Sequence, residues 1–304
     1  MAMEADIALT VDAEEADRLD LSLDIITSIF DNPVFKRWDG YGLAVQAFQK
    51  RALDVIGHML DRARGAGQTI QIRLVKGAYW DSEVKHAQIE AYPDFPVFTR
   101  KAHTDVNFLS CARMLLQARD ICTPLFGTHN AHSIAAILDM TGDEREGFAF
   151  QRLQGMGEGL YSQIVTEGIP CSIYAPVGTY KDLLAYLVRR LLENGANTSF
   201  VNRLYDLEVS IEELVSDPIL SVRTQDRFRH KAVCLPYDVM QPSHDNSKGM
   251  DLSDSEIIAQ IEKNLAGLRR SRSLLVGPVI NGTMDKSGTV EPINSPADRS
   301  FRIG

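Results

Sequence analysis

Six short apolar runs, Ile7–Val11, Leu43–Phe48, Ile70–Val75, Leu125–Thr128, Phe148–Leu153 and Cys171–Ala175, alternate with longer stretches of helical periodicity before about Phe200. No other feature narrows the fold as much. Runs of this length are strands, and the stretches between them repeat apolar residues at i, i+3 and i+4, so the pattern predicts β-α units around a parallel sheet. Helices are expected at Ala16–Phe30, Gln49–Gly65, Val84–Ala91, Thr104–Arg119, Ser133–Met140 and Lys181–Glu193, the last closed by a left-handed cap at Asn194-Gly195. A doubly wound sheet competes with a closed barrel. The barrel is preferred because no Gly-x-Gly-x-x-Gly follows a strand.

A βα barrel carries its chemistry at the C-terminal strand ends, where the βα loops gather. Polar residues fall there: Asp12 on the first run, Gln46 and Gln49 on the second, Arg73 and Lys76 on the third, Thr128-His129-Asn130 on the fourth, Gln151 on the fifth and Tyr174 on the sixth. After about Arg203 the character changes. Asp217-Pro218, Leu235-Pro236 and Gln241-Pro242 punctuate a largely non-periodic segment. The organisation predicted is a barrel over residues 1–205, a linker over 206–252, and a further domain from 253 to 304 that opens with an amphipathic helix from Ser253 to about Arg270 and turns at Asn281-Gly282 and Pro296.

Composition excludes several classes. A formal net charge of -9 over 304 residues repels a phosphate backbone, and no long basic cluster overrides it, so nucleic acid is not an expected partner. The four cysteines include no Cys-x-x-Cys pair and no histidine-carboxylate spacing suits a metal, which points away from disulfides and zinc and toward a reducing, cytoplasmic setting. No run of about 18 apolar residues exists, so a spanning helix is not expected. A peripheral membrane contact stays open.

Three constellations carry potential chemistry. Arg73 and Lys76 straddle the end of an apolar strand, where a cation is costly unless an anion or electron-rich ligand meets it. Gly77 would let the backbone approach a flat ring, with Tyr79-Trp80 as stacking groups or a lid, or else simply as core aromatics beyond a turn. His129, between Thr128 and Asn130, reads equally as a ligand group or a structural histidine. Arg189 and Arg190 lie side by side on a helix; Arg189 can pair with Glu193 as part of a solvated face, or both can clamp a carboxylate or phosphate. Asp12 can begin a helix with Glu14 and Glu15, or neutralise a cation inside the barrel.

Asp12-Ala13-Glu14-Glu15, Gln46-Ala47-Phe48-Gln49, Arg73 through Asp81, Thr128-His129-Asn130-Ala131, Gln151 through Gly157, Tyr174 through Gly178 and Leu187 through Gly195 occur in this order. Together they make the chain resemble the proline dehydrogenase domain of bifunctional bacterial proline utilization flavoenzymes. The resemblance covers about residues 5 to 205. It implies a (βα)8 TIM-like barrel with non-covalent FAD, oxidation of L-proline to 1-pyrroline-5-carboxylate, hydride passing from the ring carbon beside nitrogen to flavin N5, and a quinone as electron acceptor. By position, Arg189 and Arg190 would clamp the proline carboxylate, with Tyr79, Leu153 and Tyr174 around its ring. Arg73 would approach flavin N5, and Asp12 and Tyr174 would complete the catalytic group. Gln46, Val75, Lys76, Gly77, Ala78, Trp80, Thr128, His129, Asn130, Gln151 and Glu193 would hold the cofactor.

The family's barrel has eight strands. With six counted here, two would belong before residue 5, together with a lysine the family uses on the proline carboxylate. Asn294-Ser295-Pro296-Ala297-Asp298 resembles the start of the family's NAD-dependent aldehyde dehydrogenase partner, whose catalytic core would lie beyond Gly304. Two alternatives accompany this reading. One is an inactive fragment with a structural or interaction role, whose open edges would favour homo-oligomers. The other is a barrel enzyme using the two arginines on a phosphorylated substrate, although the last βα loop lacks a glycine-rich phosphate turn.

Overall fold

The computed structural model describes residues 1–36, 38–195, 210, 212, 215–241, 243–244, 247–270 and 274–304, without the side chains of residues 185, 189, 191–195, 269 and 270. The side chains of Arg189 and Glu193 therefore lie outside the described residues.

Six parallel strands, β1 (Leu9–Val11), β2 (Tyr41–Gln46), β3 (Ile70–Val75), β4 (Cys122–Gly127), β5 (Ala149–Leu153) and β6 (Cys171–Tyr174), form one sheet in chain order. Between them run α1 (Leu19–Phe30), α2 (Ala52–Ala66), α3 (Trp80–Ile89), α4 (Lys101–Gln117), α5 (Ala131–Thr141) and α6 (Glu158–Thr166), with α7 (Tyr180–Gly195) after the last strand. A doubly wound sheet reverses its order at a switch point, and this one does not. With right-handed crossovers an unreversed order sends every helix to the same face. That face is the core: Leu43, Val45, Ile70, Ile72, Leu74, Phe126 and Phe150 cluster with Val55, Ile56 and Met59 of α2, Phe108 and Leu115 of α4, and Ile134 and Ile137 of α5.

Several boundaries differ from the sequence expectation, each for a local reason. Strand β2 covers Tyr41–Gln46 rather than Leu43–Phe48. Ala47 and Phe48 leave the sheet in a turn while still donating to the carbonyls of Val75 (2.8 Å) and Lys76 (2.7 Å). Strand β4 begins at Cys122, three residues before the expected Leu125. It accommodates Pro124 because β5 pairs only from Leu125 onward, leaving Pro124 with β3 as its single neighbour. Helix α3 starts at Trp80 instead of Val84, with Tyr79 at its N-cap. Helix α6 had no expectation; its start is set by Gly155 and Gly157, both at positive φ, and not by a side-chain cap. Helix α7 runs through Gly195, two residues past the expected end at Glu193, and so takes in the expected cap.

The chain divides into two compact units, Met1–Met250 and Asp251–Gly304. Within the first, α8 (Pro218–Arg223) packs on α4. Further along, the Arg229 carbonyl accepts from Arg100 Nη2 (3.1 Å), His230 N donates to Thr99 Oγ1 (3.0 Å), and Gly249 N donates to the Ala91 carbonyl (2.8 Å). The second unit holds α9 (Ser255–Arg270) and a hairpin of β7 (Val279–Ile280) and β8 (Thr283–Met284). Its two-residue turn, Asn281-Gly282, takes positive φ at both positions (49° and 78°), as the twist of paired strands demands. Among the described residues no helix is long and apolar enough to cross a membrane.

Candidate active site

Side chains alternate along a strand, so the face turned away from the helices can be read from the register. One row runs Ala44, Arg73, Leu125, Ala149. The next, one step nearer the C-terminal ends, runs Gln46, Val75, Gly127, Gln151, Ser172; beyond it Leu153 stands opposite Tyr174. Six expected site residues therefore share one surface. Gly127 keeps the middle of that surface low, since a Cβ there would come within 2.9 Å of Val75 Cγ1.

Arg73 is largely buried, with 12% of its side chain exposed, and Nη2 donates to Asp12 Oδ1 at 2.6 Å. Its guanidinium lies 5.4 Å from the centroid of the Tyr174 ring. Asp12, Arg73 and Tyr174 are thus brought together. The loop beyond β1 is held from three sides: Gln46 Nε2 donates to the Glu14 carbonyl (2.8 Å), Tyr79 OH donates to Glu14 Oε2 (3.0 Å), and Glu83 Oε1 accepts from Ala16 N (2.6 Å). The other end of Gln46 accepts from Ala78 N at 3.3 Å.

Several other expected site residues have contacts of their own. Lys76 Nζ donates to Asp105 Oδ1 at 2.5 Å and lies 5.5 Å from the Phe108 ring centroid, both on α4. Burial pushes the Lys76 pKa down against the pull of Asp105. Gly77 does allow a close approach, but the ring it admits is that of Phe48: φ is +128° and a Cβ would fall 2.4 Å from Phe48 Cδ1. Trp80 Nε1 donates to the Phe98 carbonyl at 2.8 Å. Thr128 and Asn130 have structural partners: the Thr128 carbonyl accepts from Tyr161 OH (2.5 Å), and Asn130 Oδ1 caps α5 through Ser133 N (3.0 Å). The Arg190 guanidinium lies 5.1 Å from the Tyr186 ring centroid. Gln151 Oε1 is buried without a hydrogen-bond partner.

His129 Nε2 accepts from the Leu153 backbone N–H at 3.0 Å, which requires an unprotonated Nε2. Burial first, then the charges of Arg190 and Arg152, lowers its pKa to about 4. Because the folded pKa lies below the ordinary 6.5, the unfolded chain takes up the proton first, and stability falls as pH drops from 6.5 toward 4. His129→Gln keeps an acceptor and removes this loss. Urea melts at pH 7 and 4.5 should show the variant losing about 1–2 kcal/mol less than wild type, allowing for partial exposure of the ring.

Sequence reasoning missed Glu14 as an acceptor, Phe48, Glu83, Asp105 and Asn107. Asn107 Nδ2 donates to the Ala47 carbonyl (2.8 Å), pinning the turn that carries Phe48. Only Asp105 left a local signal, its i, i+4 spacing from Lys101, which it meets at 2.7 Å.

A family model described as Proline dehydrogenase matches residues 1–203. The sequence is 43% identical over 322 residues to bifunctional protein PutA of Klebsiella aerogenes, covering 100% of this chain and 24% of that protein. It is 49% identical over 273 residues to the PutA protein of Rhizobium meliloti, covering 87% of this chain and 22% of that one. A crystal structure of a mutant Proline Utilization A from Bradyrhizobium japonicum matches with a TM-score of 0.84 at 44% identity, over 91% of this chain and 28% of the other. The chain spans about a quarter of the length of the curated relatives it matches.

Proposed function

The chain belongs to the proline dehydrogenase family, and from that premise we propose that the sheet face turned away from the packed core helices is the floor of a site oxidising L-proline to 1-pyrroline-5-carboxylate. The register supports this most. Gln46, Arg73, Val75, Gln151, Leu153 and Tyr174, from four strands, meet on one surface at the C-terminal strand ends, where a βα fold gathers its chemistry.

The residues present fit FAD. The buried acceptor Gln151 Oε1 lacks a donor, as a ring N–H would supply, and Gly127 leaves a low cradle that a Cβ would fill. Gln46, Val75, Gln151, the Lys76–Trp80 loop, Thr128-His129-Asn130 and Glu193 would hold it. Bound there, FAD would accept a hydride from the ring carbon beside the substrate nitrogen and pass the electrons to a quinone. The chain's own contribution is placement and charge. Arg73, itself largely buried and fixed by the more exposed Asp12 and Tyr174, presents a preorganised cation. Leu153, Tyr174 and Tyr79 bound the apolar part of the pocket, and Arg189 with Arg190 grips the carboxylate through paired N–H groups.

In this reading residues 1–205 are six units of an eight-strand barrel, 206–252 connect it onward, and 253–304 begin an aldehyde dehydrogenase domain. The protein works in the cytoplasm, where its quinone acceptor brings it to a membrane surface. A second reading, a fragment with only a structural or self-associating role, is favoured by the edges at β1 and β6, unpaired among the described residues, and by Tyr180, Leu184, Leu187 and Val188, all exposed on α7.

One experiment separates them. The purified chain mixed with FAD should turn yellow and bleach when L-proline is added anaerobically, and Arg73→Ala should slow the bleaching by about 10²-fold or more. A chain that remains colourless and takes up no FAD supports the structural reading.

A further inference from the structure

Helix α1 starts without a cap of its own. The 3-10 turn Ala16–Arg18 runs straight into it, and Glu15, at the cap position, makes no side-chain hydrogen bond there. The cap comes from another element: Glu83, 67 residues away on α3, accepts from Ala16 N at 2.6 Å. Glu83 is 4% exposed. Burial raises its pKa and the charges of Asp17 and Glu15 raise it further, against the opposing Ala16 N–H and His86. A buried carboxylate in such company is a poor source of stability, and a neutral side chain could cap one amide more cheaply. What the acceptor at this position does achieve is register.

Glu83 sits one turn beyond Tyr79, its backbone N donating to the Tyr79 carbonyl at 2.9 Å. Tyr79 OH in turn donates to Glu14 Oε2. Helix α3 thus grips the β1 loop twice, two loop residues apart, once as donor and once as acceptor. The same loop carries Asp12 to Arg73. Moving α3 by a fraction of a turn would therefore move Tyr79 and loosen Asp12 together.

We propose that Glu83 is a positioning residue that locks α3 to the β1 loop and so places Tyr79 and Asp12 at the substrate end of the site. The proposal rests on the proline-oxidising reading. In the FAD-loaded chain, Glu83→Ala should raise KM for proline by about tenfold or more while kcat changes less than about threefold. Glu83→Gln, which keeps the acceptor, should restore KM to near wild type. In a Tyr79→Phe background Glu83→Ala should add little further, because both changes release the same clamp.

Amide hydrogen exchange reads the clamp without turnover: Ala16 N–H should be protected in wild type and Glu83→Gln, and exposed in Glu83→Ala. If the alanine variant does not fold, Glu83→Asp, one methylene too short, should reproduce its KM and exchange changes. An unchanged KM, fully additive effects with Tyr79→Phe, or an Ala16 amide still protected in Glu83→Ala overturns the proposal. A wild-type chain that proline does not bleach instead overturns the proline-oxidising reading and leaves the clamp to be decided by the amide.

Discussion

Gly77→Ala is expected to destabilise the first unit by about 3 kcal/mol and to abolish uptake of FAD. The backbone at Gly77 has φ +128°, a region that L side chains rarely enter, and the new methyl would overlap Phe48 Cδ1 at 2.4 Å. Phe48 cannot simply turn aside. It is 3% exposed and anchors a small separate core with Val84, Ala87, Phe95 and Val97, and its backbone is tied to Lys76 and Phe98. Relief must come from the Lys76–Tyr79 loop, which carries residues of both the proposed cofactor and substrate sites. Urea midpoints and FAD absorbance measure the two effects. Gly65→Ala is the control: a Cβ there meets nothing within 4 Å, and stability should rise by about 0.5–1 kcal/mol. Comparable losses in both variants would mean that the Gly77–Phe48 approach is unimportant.

The second large effect concerns the charged cluster on α4. Asp105→Ala is expected to cost about 2–3 kcal/mol at pH 7, because it leaves Lys76 largely buried beside Lys101 with no anion. Asp105→Asn should fall between, keeping hydrogen-bonding groups but not charge. The pH dependence follows from the carboxylate. Burial alone would raise the Asp105 pKa, but Lys76 and Lys101 outweigh it and bring it below the ordinary 3.8. Its stabilisation is therefore complete well above that value and lost as pH falls through the folded pKa. Wild type and Asp105→Ala should converge in stability between pH 5 and 2, as followed by urea melts. A gap that stayed constant over this range would show that the ion pair contributes nothing.

Where local pattern and tertiary demand agreed, the chain was legible. Strand β3 matches its expectation residue for residue because Ile70, Ile72 and Leu74 alternate with Gln71, Arg73 and Val75 between a left-handed Gly67 and the Lys76-Gly77 turn. Strand β2 slid by two because all six of its residues are buried and no alternation marks its ends. The start of α3 was invisible because Trp80 to Glu83 lack an apolar period, Glu83 being buried for its partner and not for its hydrophobicity.

The site divides in the same way. Gln46, Arg73, Gln151 and Tyr174 stood out as polar groups on apolar strands. The residues that fix the site, Glu14, Glu83, Asp105 and Asn107, looked like ordinary solvated loop and helix positions, and their partners are 29 to 67 residues away. Single-sequence periodicity contains no term for such distances. The ring beside Gly77 was foreseen as a shape requirement, but which ring fills it depends on a turn after β2 that no local pattern marks.

The chain-ordered sheet has a consequence for how the protein is made. Each strand from β2 onward pairs with the one that left the ribosome just before it. These six strands can therefore be added to the sheet one unit at a time as they are made. The cross-ties come at different times: Glu83 can reach Ala16 once α3 is made, before β4 exists, whereas the Gly249 contact with Ala91 needs nearly the whole first unit. During synthesis, the β1 loop can be clamped to α3 before Gln151 and Tyr174 join the surface it borders.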